Sequence, residues 1–384
     1  MLVGKKVIIA SNTSWSLVNF RSGLIRALTE AGYEVVAAAP QDDHTVRLPS
    51  LGCRFVALPM DNKGTNPLRD LLLLVRFHRL LRHERPAVLL GYTVKPNVYG
   101  SMAAHMLGIP VINNIAGLGT AFVRESWVTH VVGRLYRLAL AHSYAVFFQN
   151  GEDLRLFLDL GIVHRSKISR LPGSGVDTQA FIPALLPSTG GEDCVFLLMA
   201  RLLWDKGVGE YVKAARRLRE RHPTARFLLL GPVGVANRSA ISQEQILLWQ
   251  KEGVIEYLGH TDDVRSHIST VDCVVLPSYY REGVPRSLLE AAAMGRPIVT
   301  TDAPGCRDVV EDGVTGFLCQ PRDAEDLAEK MEQIIKMTPE ERSQMGLCGR
   351  QKVEREFDEK IVIGRYLNVL EEIVPRQQKP LPRE

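Results

Sequence analysis

Two carboxylates and two cations stand at spacings that could serve one ligand. Glu282 and Glu290 are eight positions apart, and Arg201 and Lys206 are five apart. A carboxylate accepts hydrogen bonds, so the hydroxyls of a sugar or a ribose are natural partners. An arginine grips phosphate oxygens through forked N–H groups and a lysine acts as a point charge, so the two cations suit a diphosphate. Glu290 is flanked by Leu288, Leu289, Ala291, Ala292, Ala293 and Met294. A charge on so apolar a helix needs a partner. A plainer alternative stands beside each assignment: Glu290 pairs with a core arginine, Glu282 is solvated, and Arg201 and Lys206 are surface cations.

The elements around these residues suit a ligand crevice. Cys273-Val274-Val275-Leu276 reads as a strand that breaks at Pro277 and loops through Tyr280-Arg281-Glu282-Gly283. A helix is expected from Val284-Pro285, since proline suits the first turn, where N–H groups lack helical partners. It stops at Gly295 before Arg296-Pro297, and Ile298 to Thr301 reads as a buried parallel strand. Arg201 and Lys206 follow the strand Cys194 to Met199. In open α/β sheets, loops at the carboxyl ends of strands line the ligand crevice.

The runs Glu282-Gly283-Val284-Pro285, Leu289-Glu290-Ala291 and Gly295-Arg296-Pro297-Ile298-Val299 resemble the E-x7-E region of retaining family 4 glycosyltransferases. Arg201 to Lys206 is similar to that family's R-x4-K motif. The resemblance spans nearly the whole chain, more closely in its second half. It implies an α/β fold of two Rossmann-like domains facing a cleft, the GT-B arrangement. It implies that Glu282 and its neighbours Gly283, Val284, Pro285, Arg286 and Ser287 meet the donor sugar, and that Glu290 binds the nucleotide ribose. Arg201 and Lys206 would hold the leaving diphosphate, so Glu282, Arg201 and Lys206 form the implied catalytic set. The implied reaction moves a sugar from a UDP-sugar with retention of configuration. The run Tyr92-Thr93-Val94-Lys95-Pro96-Asn97, with Gln149-Asn150 and Asp153, is similar to transferases that extend polyprenyl-diphosphate-linked sugars. A lipid-linked or glycan acceptor is the implied partner.

Two departures matter. Relatives commonly place a histidine after the fifth strand of the N-terminal domain, whereas this chain reads Val111-Ile112-Asn113-Asn114-Ile115-Ala116-Gly117-Leu118-Gly119. Asn113 and Asn114 either bond a sugar or cap the strand end, and Lys95 or Asn97 could reach the cleft. The loop after the first strand has Ser11, Asn12, Thr13, Ser14 and Ser16 in place of the family's glycine-rich loop. Ser14 and Ser16 either bind an anion or polar sugar at the helix N-terminus or simply cap it.

Composition sets the bounds. The chain has 384 residues, 46% apolar and 23% charged, ordinary for a soluble protein and long enough for two domains. A net charge of +4 gives no argument for nucleic acid. The six cysteines are scattered without a CxxC pair, which suits reduced thiols rather than a zinc site or disulfide framework. Lys5-Lys6 precede only a short apolar run, which suits a first strand better than a signal peptide, and no apolar run is long enough to span a bilayer. A cytoplasmic location follows as the expectation. With no D-x-D pair and two cations at the phosphates, neither metal nor cofactor is expected.

In order, strands are expected at Lys6–Ala10, Glu34–Ala39, Phe55–Leu58, Ala87–Gly91, Pro110–Asn114 and Ala145–Phe148. Helices are expected at Val18–Ala31, Pro67–His83, Tyr99–Leu107 and Val128–His142. This alternation predicts a parallel sheet wrapped by helices. Pro183 to Gly191 reads as a linker. The expected domains are 1–182, taking the acceptor, and 183–357, taking the nucleotide sugar. A helix over 358–374 returns to the first domain, and 375–384 forms a polar tail. In the second domain Gly231 and His260 follow strands at Arg226–Leu230 and Ile255–Leu258 and should line the nucleotide pocket. Gly313 to Phe317 reads as a turn.

Two arginine-rich amphipathic segments raise the question of a membrane. Leu68 to Arg85 carries Arg69, Arg76, Arg79, Arg82 and Arg85 between leucines, and Trp127 to His142 carries Arg134 and Arg137. Such helices can lie in an anionic lipid surface. For the first, packing on the sheet with solvated arginines is the favoured expectation; the second is open. Two rival functions share the donor chemistry: an epimerase of similar architecture, and a non-catalytic nucleotide-sugar binder.

Overall fold

The computed structural model describes residues 5–61, 66–117, 127–183, 194–235 and 237–374, with the side chains of 127–130 left aside. Of the expected linker only Pro183 is among them; the rest of it, the tail from Pro375, and Leu118 and Gly119 lie outside the described residues. The chain divides into two units, one of residues 1–174 with 360–384 and one of 175–359. The first break falls earlier than the one expected at 182, because Val176 and Phe181 pack with the second unit's core. Two backbone bonds add to this, Val176 N–H to Phe357 O and Glu359 N–H to Val176 O.

The first unit is a parallel sheet of β1 (Lys6–Ala10), β2 (Glu34–Ala39), β3 (Arg54–Ala57), β4 (Val88–Tyr92), β5 (Val111–Ile115), β6 (Ala145–Phe148) and β7 (Ile168–Arg170). Their order is β3-β2-β1-β4-β5-β6-β7. The helices are α1 (Ser14–Glu30), α2 (Pro67–Glu84), α3 (Ser101–Met106), α4 (Trp127–Leu140) and α5 (Gly151–Asp159). Val7 and Ile9 face one core layer and Ile8 and Ala10 the other. Strands buried on both faces read as continuous apolar runs, which is why these were legible.

Helix α1 begins four residues before the expected Val18. Thr13 caps it by accepting from Ser16 N–H at 3.1 Å. Helix α2 departs from expectation in its packing. Leu73, Phe77, Leu80 and Leu81 are buried, but Leu68, Leu71, Leu72 and Val75 form a second apolar stripe facing outward.

The second unit is a parallel sheet of β8 (Val195–Met199), β9 (Arg226–Leu230), β10 (Glu256–Tyr257), β11 (Cys273–Leu276), β12 (Ile298–Thr301) and β13 (Gly316–Cys319). Their order is β10-β9-β8-β11-β12-β13. Helices α6 (Val208–Arg221), α7 (Gln243–Lys251), α8 (Arg265–Ile268), α9 (Arg286–Ala293), α10 (Ala324–Lys336) and α11 (Pro339–Glu356) surround it. The turn expected over Gly313 to Phe317 ends early, since Gly316 and Phe317 belong to β13. Gly316 lies against β12 so closely that a Cβ would sit 2.0 Å from Ile298 O. Helix α12 (Glu359–Ile373) is the last element among the described residues. Its Val362, Tyr366 and Leu370 are buried in the first unit's core.

Candidate active site

The order of the second sheet reverses direction between β8 and β11. Loops leaving adjacent strands at such a switch point diverge to opposite sides and open a crevice at the carboxyl edge. The loop after β8 carries Arg201 and Lys206, and the loop after β11 carries Glu282. Three hydrogen bonds lace them together at one atom, the carbonyl oxygen of Asp205. It accepts from Tyr279 N–H and Tyr280 N–H, each at 3.1 Å, and from Ser278 Oγ at 3.3 Å. Gly207, at φ 76°, makes this approach feasible, since a Cβ there would lie 2.0 Å from Pro277 O.

Glu282 is not solvated. Its Oε1 binds Lys206 Nζ and accepts from Ser278 Oγ at 3.0 Å, and Lys206 and Glu282 are only 11% and 12% exposed. Lys206 also lies 5.4 Å from the centre of the Tyr280 ring. Arg201 differs from Lys206: it is exposed, and among the described residues no carboxylate pairs with it. The loop behind Glu282 is fixed from the β12 side. Thr301 Oγ1 donates to Ser278 O, and Gly305 sits where a Cβ would be 1.9 Å from Gly283 O. Cys306 beside it is buried, and burial pushes its thiol up to about 12.

Pro285 is the N-cap of α9 rather than its first residue, and no side chain caps the N–H groups that follow. Leu288, Leu289 and Ala291 to Ala293 are buried in the core. Glu290, half-buried, pairs with Arg286 Nε one turn back at 2.9 Å. Its partner is therefore a helix neighbour, not a distant core arginine. Burial raises the Glu290 carboxyl pKa, Arg286 opposes this, and Asp263 adds to it. Gly283, Val284 and Pro285 are buried, while Arg286 and Ser287 are partly open. Gly231 packs the strand ends together: its N–H donates to Gly259 O at 2.8 Å, and a Cβ would lie 1.8 Å from Ala200 O. His260 follows Gly259 and is exposed.

The first unit has its own switch point, between β1 and β4, and a hollow of about 190 Å³ opens there. It is lined by Asn12, Thr93, Val94, Lys95, Ile115 and Tyr136, among others. Thr93 has φ 65°, a conformation that β-branched residues rarely adopt. Lys95 Nζ pairs with Asp70 Oδ1 at 2.7 Å, and Tyr99 OH donates to Asp70 Oδ2 at 2.9 Å.

Other residues of this unit are engaged internally. Asn113 Nδ2 donates to Asn97 Oδ1 (2.9 Å) and Ser101 Oγ (2.8 Å), and Asn97 Nδ2 donates to Asn114 O (2.8 Å). Asn114 bonds Tyr366 OH at 3.0 Å and accepts from Gln149 Nε2 at 3.1 Å. Asn113 and Asn114 thus hold strand ends together instead of reaching a sugar, whereas Asn97, which bonds both, also lines the hollow. Asn150 caps α5 by accepting from Asp153 N–H at 2.7 Å. Ser14 Oγ donates to Pro40 O, and Ser16 Oγ to Thr13 O. Asp42 Oδ2 already accepts from Ser14 N–H and Trp15 N–H at the start of α1. Neither serine caps α1, whose N-cap is Thr13; their hydroxyls donate to carbonyls of neighbouring turns.

Three contacts that the sequence did not single out complete the geometry. Those of Ser278 and of the Asp205 carbonyl emerge only from tertiary structure, whereas Arg286 to Glu290 is an i,i+4 pair that the spacing could have disclosed.

Residues 19–173 match the family model described as "Glycosyl transferase 4-like domain", and residues 188–352 the one described as "Glycosyl transferases group 1". A Campylobacter jejuni relative, N,N'-diacetylbacillosaminyl-diphospho-undecaprenol alpha-1,3-N-acetylgalactosaminyltransferase, is 27% identical over 95% of this chain and 98% of its own length. The Escherichia coli UDP-Gal:alpha-D-GlcNAc-diphosphoundecaprenol alpha-1,3-galactosyltransferase is 25% identical over 73% of each. Among solved structures, Anabaena HepE in complex with UDP and glucose matches with a TM-score of 0.79 at 18% identity, over 96% of this chain and 99% of that one. Sucrose-phosphate synthase from Thermosynechococcus elongatus matches with a TM-score of 0.79 at 16% identity, over 97% and 100%. These structural likenesses establish the two-domain α/β fold.

Proposed function

The chain belongs to the glycosyltransferases built from a glycosyl transferase 4-like domain and a group 1 domain, and from that premise we propose that it moves a hexose or N-acetylhexosamine from a UDP-sugar to a polyprenyl-diphosphate-linked glycan, with retention of configuration. The observation that carries the donor half is the Arg201–Lys206 loop tied through the Asp205 carbonyl to the Glu282 loop at the sheet's switch point. Arg201 and Lys206 take the diphosphate, Glu290 the ribose hydroxyls, and Glu282 with residues 283–287 the sugar. The acceptor hydroxyl attacks the anomeric carbon on the face from which UDP departs. The bond from that carbon to the phosphate oxygen breaks, and the hydroxyl's proton passes to the released phosphate. Positive charge already fixed where negative charge develops lowers such barriers most. The hollow at the first unit's switch point is the proposed acceptor site. Both relatives above are named for diphospho-undecaprenol acceptors, which supports that choice.

The assay is transfer from a panel of UDP-sugars to a polyprenyl-diphosphate-linked acceptor in excess EDTA. Arg201 and Lys206 supply the charge that a divalent cation otherwise would, so activity should persist; complete loss with the chelator would refute metal independence. The same donors without acceptor should yield no epimer.

We propose further that the first unit meets the membrane surface through α2. Leu68 is 78% exposed and Leu71 58%, and Leu72 and Val75 continue the stripe at helical spacing. Arg69, Arg76, Arg79, Arg82 and Arg85 surround it, Arg69 paired with Asp61 and Arg76 bonded to Pro59 O, while Asp70 is neutralised by Lys95 and the buried Glu84 by Lys6 and Arg54. Apolar insertion with cationic flanks fits an anionic bilayer. Among the described residues no helix is long and apolar enough to cross a membrane. In the second amphipathic segment Arg137 bonds the Leu160 and Gly161 carbonyls, so it is a structural contact; Trp127's side chain lies outside the described residues. The protein should pellet with anionic vesicles at low salt, and Leu71→Asp should reduce the pelleted fraction severalfold. Recovery of the wild type in the supernatant would rule out this attachment.

A further inference from the structure

The Lys206–Glu282 pair has a consequence for the order of recognition. Each side chain is close to nine-tenths buried, so solvent screens the pair little. A buried charge is costly without a partner, so Lys206 cannot leave Glu282 without a replacement. A diphosphate arriving at Lys206 would stand beside the Glu282 carboxylate, and two anions at that distance repel. The surrounding loop cannot yield, because the Asp205 carbonyl, the Thr301 hydroxyl and the close Gly305–Gly283 approach hold its backbone.

Resting on the reading of this site as the donor site, we propose that Lys206 exchanges partners: the donor's diphosphate takes it from Glu282, and the released carboxylate turns to the hydroxyls of the donor sugar. Phosphate and sugar recognition are thereby coupled through one side chain. Ser278, fully buried and bonded to Glu282 Oε1, is the positioning residue that keeps the carboxylate at the sugar's side of the loop. A nucleotide without its sugar displaces Glu282 and offers it no hydroxyl, so UDP binds more weakly than the phosphate contacts alone would give. UDP-sugar does not bear that penalty.

The experiment is calorimetric titration of UDP, UDP-sugar and uridine into wild-type protein and Glu282→Gln, with thermal midpoints recorded for each. If Lys206 is free only part of the time in the wild type, apparent affinity is lowered by that fraction. Glu282→Gln should therefore bind UDP about 5- to 10-fold more tightly, bind uridine unchanged, lose most of the advantage of UDP-sugar over UDP, and transfer sugar more slowly. Glu282→Asp, whose shorter side chain falls away from Lys206, serves if the amide variant does not fold; it should also tighten UDP. UDP affinity that is unchanged or weaker in a folded variant would overturn the exchange and make Glu282 a fixed orienter of Lys206. Wild-type protein that binds no UDP would overturn the donor reading along with it.

Discussion

Replacing Arg201 by alanine is expected to lower turnover roughly 100-fold, the loss that follows removal of one preorganised transition-state donor, while leaving the thermal midpoint unchanged. Arg201 is exposed at the carboxyl edge of the second sheet, so its removal strands no buried charge. Lys206→Ala should lose a similar factor, but it also removes the ammonium paired with the largely buried Glu282. The two variants should therefore match in kcat and differ in stability. Wild-type turnover in Arg201→Ala, measured with saturating donor and acceptor, would refute its place at the leaving diphosphate.

The largest stability effect is expected far from that site. Asp272, 1% exposed, lies 3.9 Å from Arg342 Nε and accepts from Val195 N–H at 2.9 Å through its other oxygen. It also offsets the charge of Arg296, which is fully buried against the Ile268 and Ser269 carbonyls. Burial pushes the Arg296 guanidinium down to about 10 and the Asp272 carboxyl up. A carboxyl can shed its charge by taking a proton, but an arginine stays charged. Removing the acid is therefore the harsher change. Asp272→Ala should cost about 3–5 kcal/mol, a fall in Tm on the order of 10 °C for a unit of this size. A shift of a degree or two would show that water reaches these guanidinium groups.

How far the sequence speaks for itself depends on the range of the interaction. The alternation of apolar runs with helical stretches located most strands, because most of these runs are buried on both faces. Glu290 was readable as a charge in need of a partner, and Arg286 stood one helical turn away. Thr338-Pro339-Glu340-Glu341 is a legible start for α11, with a reciprocal cap between Thr338 and Glu341. The Lys206–Glu282 contact spans 76 positions and arises only when β8 and β11 become neighbours, so no local pattern could announce it. Asn113 and Asn114 misled for a related reason. Polar residues in a strand buried on both faces must be satisfied inside, and their partners, Asn97, Ser101, Ser143, Gln149 and Tyr366, lie on other stretches of the chain. On α2 the leucines were legible as apolar but not as two stripes, of which the sheet covers one.

The position of bound UDP is the most direct test. A crystal structure of the protein with UDP should show both ribose hydroxyls within hydrogen-bond reach of Glu290 and the diphosphate against Arg201 and Lys206, with Glu282 turned away from the ammonium. A nucleotide seated elsewhere, or a diphosphate distant from both cations while Glu282 keeps Lys206, would contradict it.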